Sequence, residues 1–375
     1  MAIREIVKNK EYQIIVVLGY SGNKRVRHYE TYYGGKKEAT LRENELKLQL
    51  KKNTFAIKDN ITLRQLFNEW LEFKKPTIAP KTYSSYKLYS DNTCKTLGHI
   101  KLKNLNAQIL DKFYNELLVN NVPTKTIKHY REVIGNALKT AVKWDYISNN
   151  PNEKATTIKV IQKEMSFYSQ KDVDKLLEVL ENEPIKRQAL IKLAIDSGCR
   201  RSEITGLKWE NVDFEKRTIE IKQITQYDSK LGIYEKEPKT ESSKRTIVLC
   251  NDTINCLKKL KQEEALHQLQ LGKAWGKSKR VFVTDMGKDM HPDTPSQILK
   301  SIIDKYNLKP VSFHGLRHSN ATLLIEKGVN VQVISKRLGH SNIDITHKVY
   351  SHFIQEEFEA VADVMQDVFS NQKAN

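Results

Sequence analysis

The sequence predicts a predominantly helical α+β protein built from several domains. Three observations carry that prediction. At 375 residues the chain exceeds the usual size of one compact domain. Apolar residues recur at helical spacing through 56–155 and again through most of 166–375. Period-two alternation is confined to the first 55 residues and to short stretches between 217 and 249. The expected order is a small sheet-plus-helix unit (1–55), a helical unit (56–155), a linker (156–165) and a mixed, mainly helical unit (166–375).

In the first unit, Tyr12 to Leu18 reads as a strand, Gly19 to Asn23 as a turn and Lys24 to Tyr32 as a second strand. The second strand mixes aromatics with Lys24, Arg25 and Arg27. Gly34-Gly35 ends it, and Lys36 to Leu50 reads as a helix with Ala39, Leu46 and Leu50 on one side. Twelve Lys and Arg against six Glu give residues 1–55 a net charge of +6. Such a sheet suits a DNA groove, and equally suits a solvated charged face.

The second unit opens on a helix from Thr62 to Phe73, with apolar positions at Leu63, Leu66, Phe67, Trp70, Leu71 and Phe73, and Pro76 and Pro80 break the pattern. Thr82 to Tyr89, Leu105 to Leu118 and Pro123 to about Trp144 supply the remaining helices. Outward-facing Lys81, Thr82, Tyr83, Lys87, Lys125, Lys128 and Arg131 place cations and hydroxyls at helix starts, the groups a phosphate backbone recruits. Asn149 to Met165 reads as the connection to the last unit. There Ser169 and Asp172 mark a helix start, and Arg217–Thr225 and Arg245–Leu249 read as strands with Lys239 in the hairpin between them. Lys244 and Arg245 look like strand-end phosphate contacts. Val329 to Arg337 is a helix ending near Gly339, and Glu356 to Val368 an amphipathic tail helix.

A formal charge of +18 is spread along the chain. Charge alone leaves two readings, a protein lying along a polyanion and a merely basic one. No run of about 18 apolar residues exists to span a membrane, and the first residues lack the apolar stretch of a secretory signal. Cys94, Cys199, Cys250 and Cys256 have neither zinc nor redox spacing and read as reduced thiols, consistent with a cytoplasmic, nucleoid-associated protein. His314, His318, His340, His347 and His352 match no common zinc pattern, so no metal and no cofactor is expected.

The last half carries the chemistry. Arg200 lies in Gly198-Cys199-Arg200-Arg201-Ser202-Glu203, and Lys239 opens Lys239-Thr240-Glu241-Ser242-Ser243. His314-Gly315-Leu316-Arg317 follows, then Leu338-Gly339-His340, and Tyr350 comes ten residues after His340. Two guanidiniums, an ammonium, two imidazoles and a phenol suit metal-free attack on a phosphodiester: a planar guanidinium grips two phosphate oxygens at once. Most pieces have a bland reading when taken alone: a hairpin lysine is usually solvated, a Gly-His pair is commonly a helix C-cap, and His314-x-x-Arg317, the more specific piece, could be a helix-start pair bonding locally.

In this order the residues resemble the tyrosine recombinase (phage integrase) family, over almost the whole chain. The resemblance implies a small arm-binding domain, a four-helix SAM-like core-binding domain and a catalytic domain whose tail helix exchanges between protomers. It implies Arg200 and Arg317 as phosphate clamps, Lys239 as general acid, His314 and His340 as imidazoles on the scissile phosphate, Glu203 as a brace and Tyr350 as nucleophile. The reaction would be cleavage and rejoining through a 3′-phosphotyrosine and a Holliday junction, integrating and excising a phage or conjugative transposon. Expected partners are double-stranded DNA at core-type and arm-type sites, three further copies in a synaptic tetramer, an excisionase and a host DNA-bending protein. A Xer-like resolvase, a type IB topoisomerase and a non-catalytic DNA-binding regulator are the alternatives. The N-terminal segment weighs against the first of these and every expected residue against the last.

Overall fold

The computed structural model describes residues 2–7, 10–21, 24–51, 60–157, 159, 166–237 and 243–339. Lys239, His340, Tyr350 and the tail helix therefore lie outside the described residues. The chain divides into two compact units, Met1–Gln162 and Lys163–Asn375.

The first unit begins with an antiparallel sheet in the order β1 (Ala2–Val7), β2 (Glu11–Ser21), β3 (Lys24–Tyr33). Helix α1 (Lys36–Lys51) packs on it through Leu46 against Ile14, with Ile3 and Tyr32 at the edges. Two points differ from the sequence expectation. Strand β2 runs on through Gly19 to Ser21, and β1 is an added edge strand. Ala2–Val7 has no strict alternation because its outer end is bare, with Ile6 and Val7 both exposed.

Four helices follow: α2 (Leu63–Lys74), α3 (Pro80–Thr96), α4 (Ala107–Val119) and α5 (Thr124–Lys143). Thr62 and Gln65 form a reciprocal capping box at α2, and Asn106 caps α4. Proline at the first turn lets α3 start earlier than its tyrosines suggest. The core is built on fully buried Leu63, Leu66, Trp70, Leu110, Ile127, Ile134 and Leu138. Trp70 stacks on Tyr86 at 5.1 Å between ring centres.

Asn149–Lys154 is not free connection. Pro151–Lys154 forms a one-turn helix, α6, whose Asn152 is buried and accepts from the Tyr114 hydroxyl at 2.6 Å. Thr156 then donates its backbone N–H to Asp111 at 2.7 Å. The helical unit thus holds the chain through Thr156.

The second unit surrounds α8 (Ile185–Ser197) with α7 (Gln170–Leu180), α9 (Arg201–Gly206), α10 (Asn251–Leu271), α11 (Thr294–Tyr306) and α12 (Phe313–Glu326), and α13 (Val331–Leu338) packs on α12 through Ala321, Ile325, Ile334 and Leu338. Ser169 and Asp172 make the expected capping box at α7. A three-stranded antiparallel sheet runs β4 (Val212–Asp213), β5 (Thr218–Ile221), β8 (Arg245–Val248). Between β5 and β8 the chain inserts a second hairpin, β6 (Ile224–Asp228) and β7 (Gly232–Lys236); the sequence reading of Arg217–Thr225 joined β5 to the start of β6 and did not foresee β7. The break at Gln223 is forced by packing: its side chain donates to the Gly206 carbonyl, where a Cβ would meet the Gln223 carbonyl oxygen at 3.0 Å. Lys239 consequently follows β7 rather than the turn of the β5–β8 pair.

Candidate active site

The site is assembled where α8, α9, α12 and α13 end or begin. Helix α8 stops at Gly198, which adopts left-handed backbone (φ +61°). A Cβ there would lie 2.5 Å from Leu338 Cδ2 and 2.7 Å from Asn320 Oδ1, so glycine is required on two counts. The Asn320 amide covers the exposed carbonyls of Ile195 and Asp196. From Gly198 the chain turns through buried Cys199 to Arg200, the N-cap of α9. Burial pushes the Cys199 thiol up to about 11, which marks it as a packing group.

Arg200 and Arg201 point to different places. Arg200 donates Nη1 to Glu203 Oε1 at 2.8 Å and Nη2 to the Gly339 carbonyl at 3.2 Å. Arg201 turns to the start of α11, donating to Ser296 Oγ at 2.9 Å and pairing with Asp293 at 2.6 Å. Arg317, on α12, is 3% exposed and donates Nη1 to the Gly198 carbonyl at 3.0 Å. Its Nη2 is buried without a hydrogen-bond partner among the described residues. Burial, and then the charge of Arg200, push the Arg317 guanidinium down to about 10. His314 lies one turn before Arg317 and is exposed; shielding of its ring, then the charges of Arg317 and Arg200, lower its pKa. His318, edge-on to His314 at 4.9 Å, is pushed down to about 4 by burial and then by His314 and Arg317. Arg200, His314 and Arg317 therefore share one electrostatic neighbourhood.

Glu203 is 1% exposed and serves two arginines. It accepts from the Arg200 backbone N–H and side chain, and from Arg245 Nη1 and Nη2 at 3.2 and 2.8 Å. Burial alone would raise its pKa. The hydrogen bonds and charge of Arg245, with the charge of Arg200, outweigh that and hold it below the usual carboxylate range.

Two of the residues read as DNA contacts have their donors engaged within the protein. Arg245 is buried, its side chain 7% exposed, and its donors are committed inside the protein. The strand signal was available: β8 alternates, and Arg245 shares the parity of buried Ile247. Arg131 is likewise spent internally, donating to the carbonyls of Asn152, Ala155 and Thr156 at the end of α6. Tyr83 is half-buried against the helical core with its hydroxyl 3.4 Å from Glu72. Lys81, Lys87, Lys125 and Lys128 are exposed, Lys128 lying 4.0 Å from Glu132, and Thr82 is half-buried. Lys244 pairs with exposed Glu237 at 3.4 Å. Lys24, Arg25 and Arg27 lie on β3, their side chains outside the described residues. Arg337 ties α13 to the Val248 and Asp196 carbonyls at 2.9 and 2.7 Å.

An arginine pair around a donor left open among the described residues has the chemistry of an anion-binding site. The fold is shared with the integrase of transposon Tn1549 in complex with transposon right end DNA, at a TM-score of 0.70 and 20% identity over 80% of this chain and all of that one. It is also shared with a lambda integrase tetramer bound to a Holliday junction, at a TM-score of 0.57 and 16% identity over 85% and 89% of the two chains. Residues 166–357 match the Phage integrase family, and residues 62–118 the phage integrase N-terminal SAM-like domain. The chain belongs to the phage integrase family; it is a tyrosine recombinase, an enzyme of DNA integration and excision. It is similar to a XerC-like tyrosine recombinase of Caldanaerobacter subterraneus subsp. tengcongensis, 29% identical over 97% of this chain and 98% of that protein. That relative spans the N-terminal segment almost completely, so the segment does not by itself separate Xer-named proteins from integrases. Among the described residues no helix is long and apolar enough to cross a membrane.

Proposed function

We propose that Arg200 and Arg317 clamp the scissile phosphate while Tyr350 attacks it. The observation that carries this reading is the buried Nη2 of Arg317 near Arg200, which has no hydrogen-bond partner among the described residues. A buried guanidinium donor left open is costly in the free protein and is answered by a non-bridging phosphate oxygen. The Tyr350 phenolate oxygen forms a bond to phosphorus as the bond to the 5′-oxygen breaks. Lys239 delivers the proton that the leaving 5′-oxygen needs. The product is a 3′-phosphotyrosine and a free 5′-hydroxyl, and rejoining is the same step reversed with a new strand. His314 and His340 hydrogen-bond the phosphate, and Glu203 orients Arg200. Residues 1–55 read distal arm sites and residues 56–155 the core site, with exposed Lys81, Lys87, Lys125 and Lys128 against phosphates. Four copies act on two synapsed duplexes in the cytoplasm, with an excisionase and a DNA-bending protein setting direction.

The test is a full-length Tyr350→Phe variant on a nicked duplex carrying the element's joined ends. It should bind with wild-type affinity and yield no protein–DNA adduct on a denaturing gel. An adduct trapped at wild-type levels would remove Tyr350 from the reaction.

A further inference from the structure

We infer that Arg245 is a positioning residue for strand cleavage: through Glu203 it sets the Arg200 clamp, and it ties that clamp to the backbone at Ser243 and at the end of α13. The inference rests on the reading of Arg200 as a phosphate clamp.

Arg245 opens β8 directly after the segment that contains Lys239. Its five N–H groups each have an acceptor. Nε donates to the Arg337 carbonyl at 2.6 Å, near the end of α13 and three residues before His340. Nη1 donates to Glu203 Oε1 at 3.2 Å and to the Ser243 carbonyl at 3.1 Å, four residues after Lys239. Nη2 donates to Glu203 Oε2 at 2.8 Å and to Cys199 Sγ at 3.7 Å. Glu203 turns the same two oxygens to Arg200, taking its side chain and backbone N–H at 2.8 Å each. Arg200 closes the circuit on the Gly339 carbonyl, the residue before His340.

One planar group thus fixes four places: the α8–α9 link, α9, the approach to β8 and the end of α13. A lysine cannot reproduce this, because a single ammonium cannot form the two parallel bonds to Glu203 and still reach the Arg337 carbonyl. Arg245 cannot itself touch the DNA, being buried with its donors used. Its effect on chemistry passes through Glu203 to Arg200. Misplacement of a reacting group by about 1 Å costs on the order of 100-fold in rate.

The test compares single-turnover cleavage by the full chain on nicked duplexes bearing either a phosphodiester or an uncharged methylphosphonate at the scissile position. The methylphosphonate lacks the negative oxygen that the clamp balances, so a defect transmitted through Arg200 shrinks on it. Arg245→Lys should cleave the phosphodiester about 100-fold more slowly with DNA affinity unchanged, and lose less than about tenfold on the methylphosphonate. Combined with Arg200→Ala, it should add little to the loss that Arg200→Ala causes alone. Equal losses on both substrates, or multiplying losses in the double variant, would overturn the inference. If Arg245→Lys does not fold, Glu203→Asp keeps the charge while shifting the anchor, and the same split between substrates must appear. Normal phosphodiester cleavage by Arg200→Ala would instead bring down the clamp reading beneath the inference.

Discussion

Replacing Glu203 by glutamine keeps the side-chain shape and removes the one carboxylate between two arginines. In the structure Oε1 accepts from Arg200 Nη1 and Arg245 Nη1, and Oε2 from the Arg200 backbone and Arg245 Nη2. Whichever way the amide is turned, its NH2 group faces two donors, and Arg245 becomes a buried cation without a counter-charge. Breaking a buried pair in this way costs about 3–5 kcal/mol. In a unit of this size each kcal/mol lowers Tm by about 2–4 °C, so calorimetry of Glu203→Gln should show a drop of roughly 10 °C. The pH dependence has a definite sign. The folded-state pKa of Glu203 lies below the ordinary carboxylate value, so its stabilisation is complete above that ordinary value. It is lost as pH falls through the lowered folded pKa. The gap between wild type and Glu203→Gln should therefore be full at neutral pH and close in acid. An unchanged Tm at neutral pH, or a gap that persists unaltered into strong acid, would refute the reasoning.

Lys239→Ala should slow cleavage, and a 5′-phosphorothiolate, whose leaving group needs no proton, should restore the rate; a defect of equal size on both substrates would show that Lys239 is not the acid. Gly198→Ala forces positive φ on a side chain and drives a methyl into Leu338 and Asn320. A destabilisation of about 2–4 kcal/mol should appear in denaturant melts, together with slower cleavage because the Gly198 carbonyl holds Arg317. Removing residues 1–55 should spare cleavage of short core duplexes and abolish integration that needs distal sites, as a plasmid integration assay would report; equal integration by the truncated chain would contradict the two-site reading.

Helix starts were the most legible part of the fold, since Thr62–Gln65 and Ser169–Asp172 write their caps locally in the chain. The β6–β7 hairpin was not, because its position depends on the close approach of Gln223 to Gly206, a contact between elements. The choice of Arg200 over Arg201 came from resemblance. The physical discriminator, Asp293 waiting at α11 for Arg201, is 92 residues away in sequence and invisible without the fold. Arg245 shows a different failure. Its strand parity with Ile247 pointed inward, yet a charged residue at a strand end was read as a surface group. A buried arginine becomes plausible only once Glu203 is known to be buried beside it.

The distribution of charge gives the arrangement its logic. Arg200, Arg245 and Arg317 converge on a region whose one buried carboxylate is Glu203 among the residues that perturb them. A carboxylate set directly on Arg317 would satisfy its open donor and lower its usefulness to a phosphate. Among the described residues Arg317 donates to a carbonyl, and its Nη2 meets no acceptor. Glu203 instead bonds Arg200 along one edge and commits its remaining capacity to Arg245, which cannot reach DNA. Burial first, and then neighbouring positive charge, depress Arg317, His314 and His318 alike. A binding phosphate relieves all three at once, and the relief grows as charge builds on the five-coordinate phosphorus. The carboxylate is thus placed to aim the cations without cancelling them.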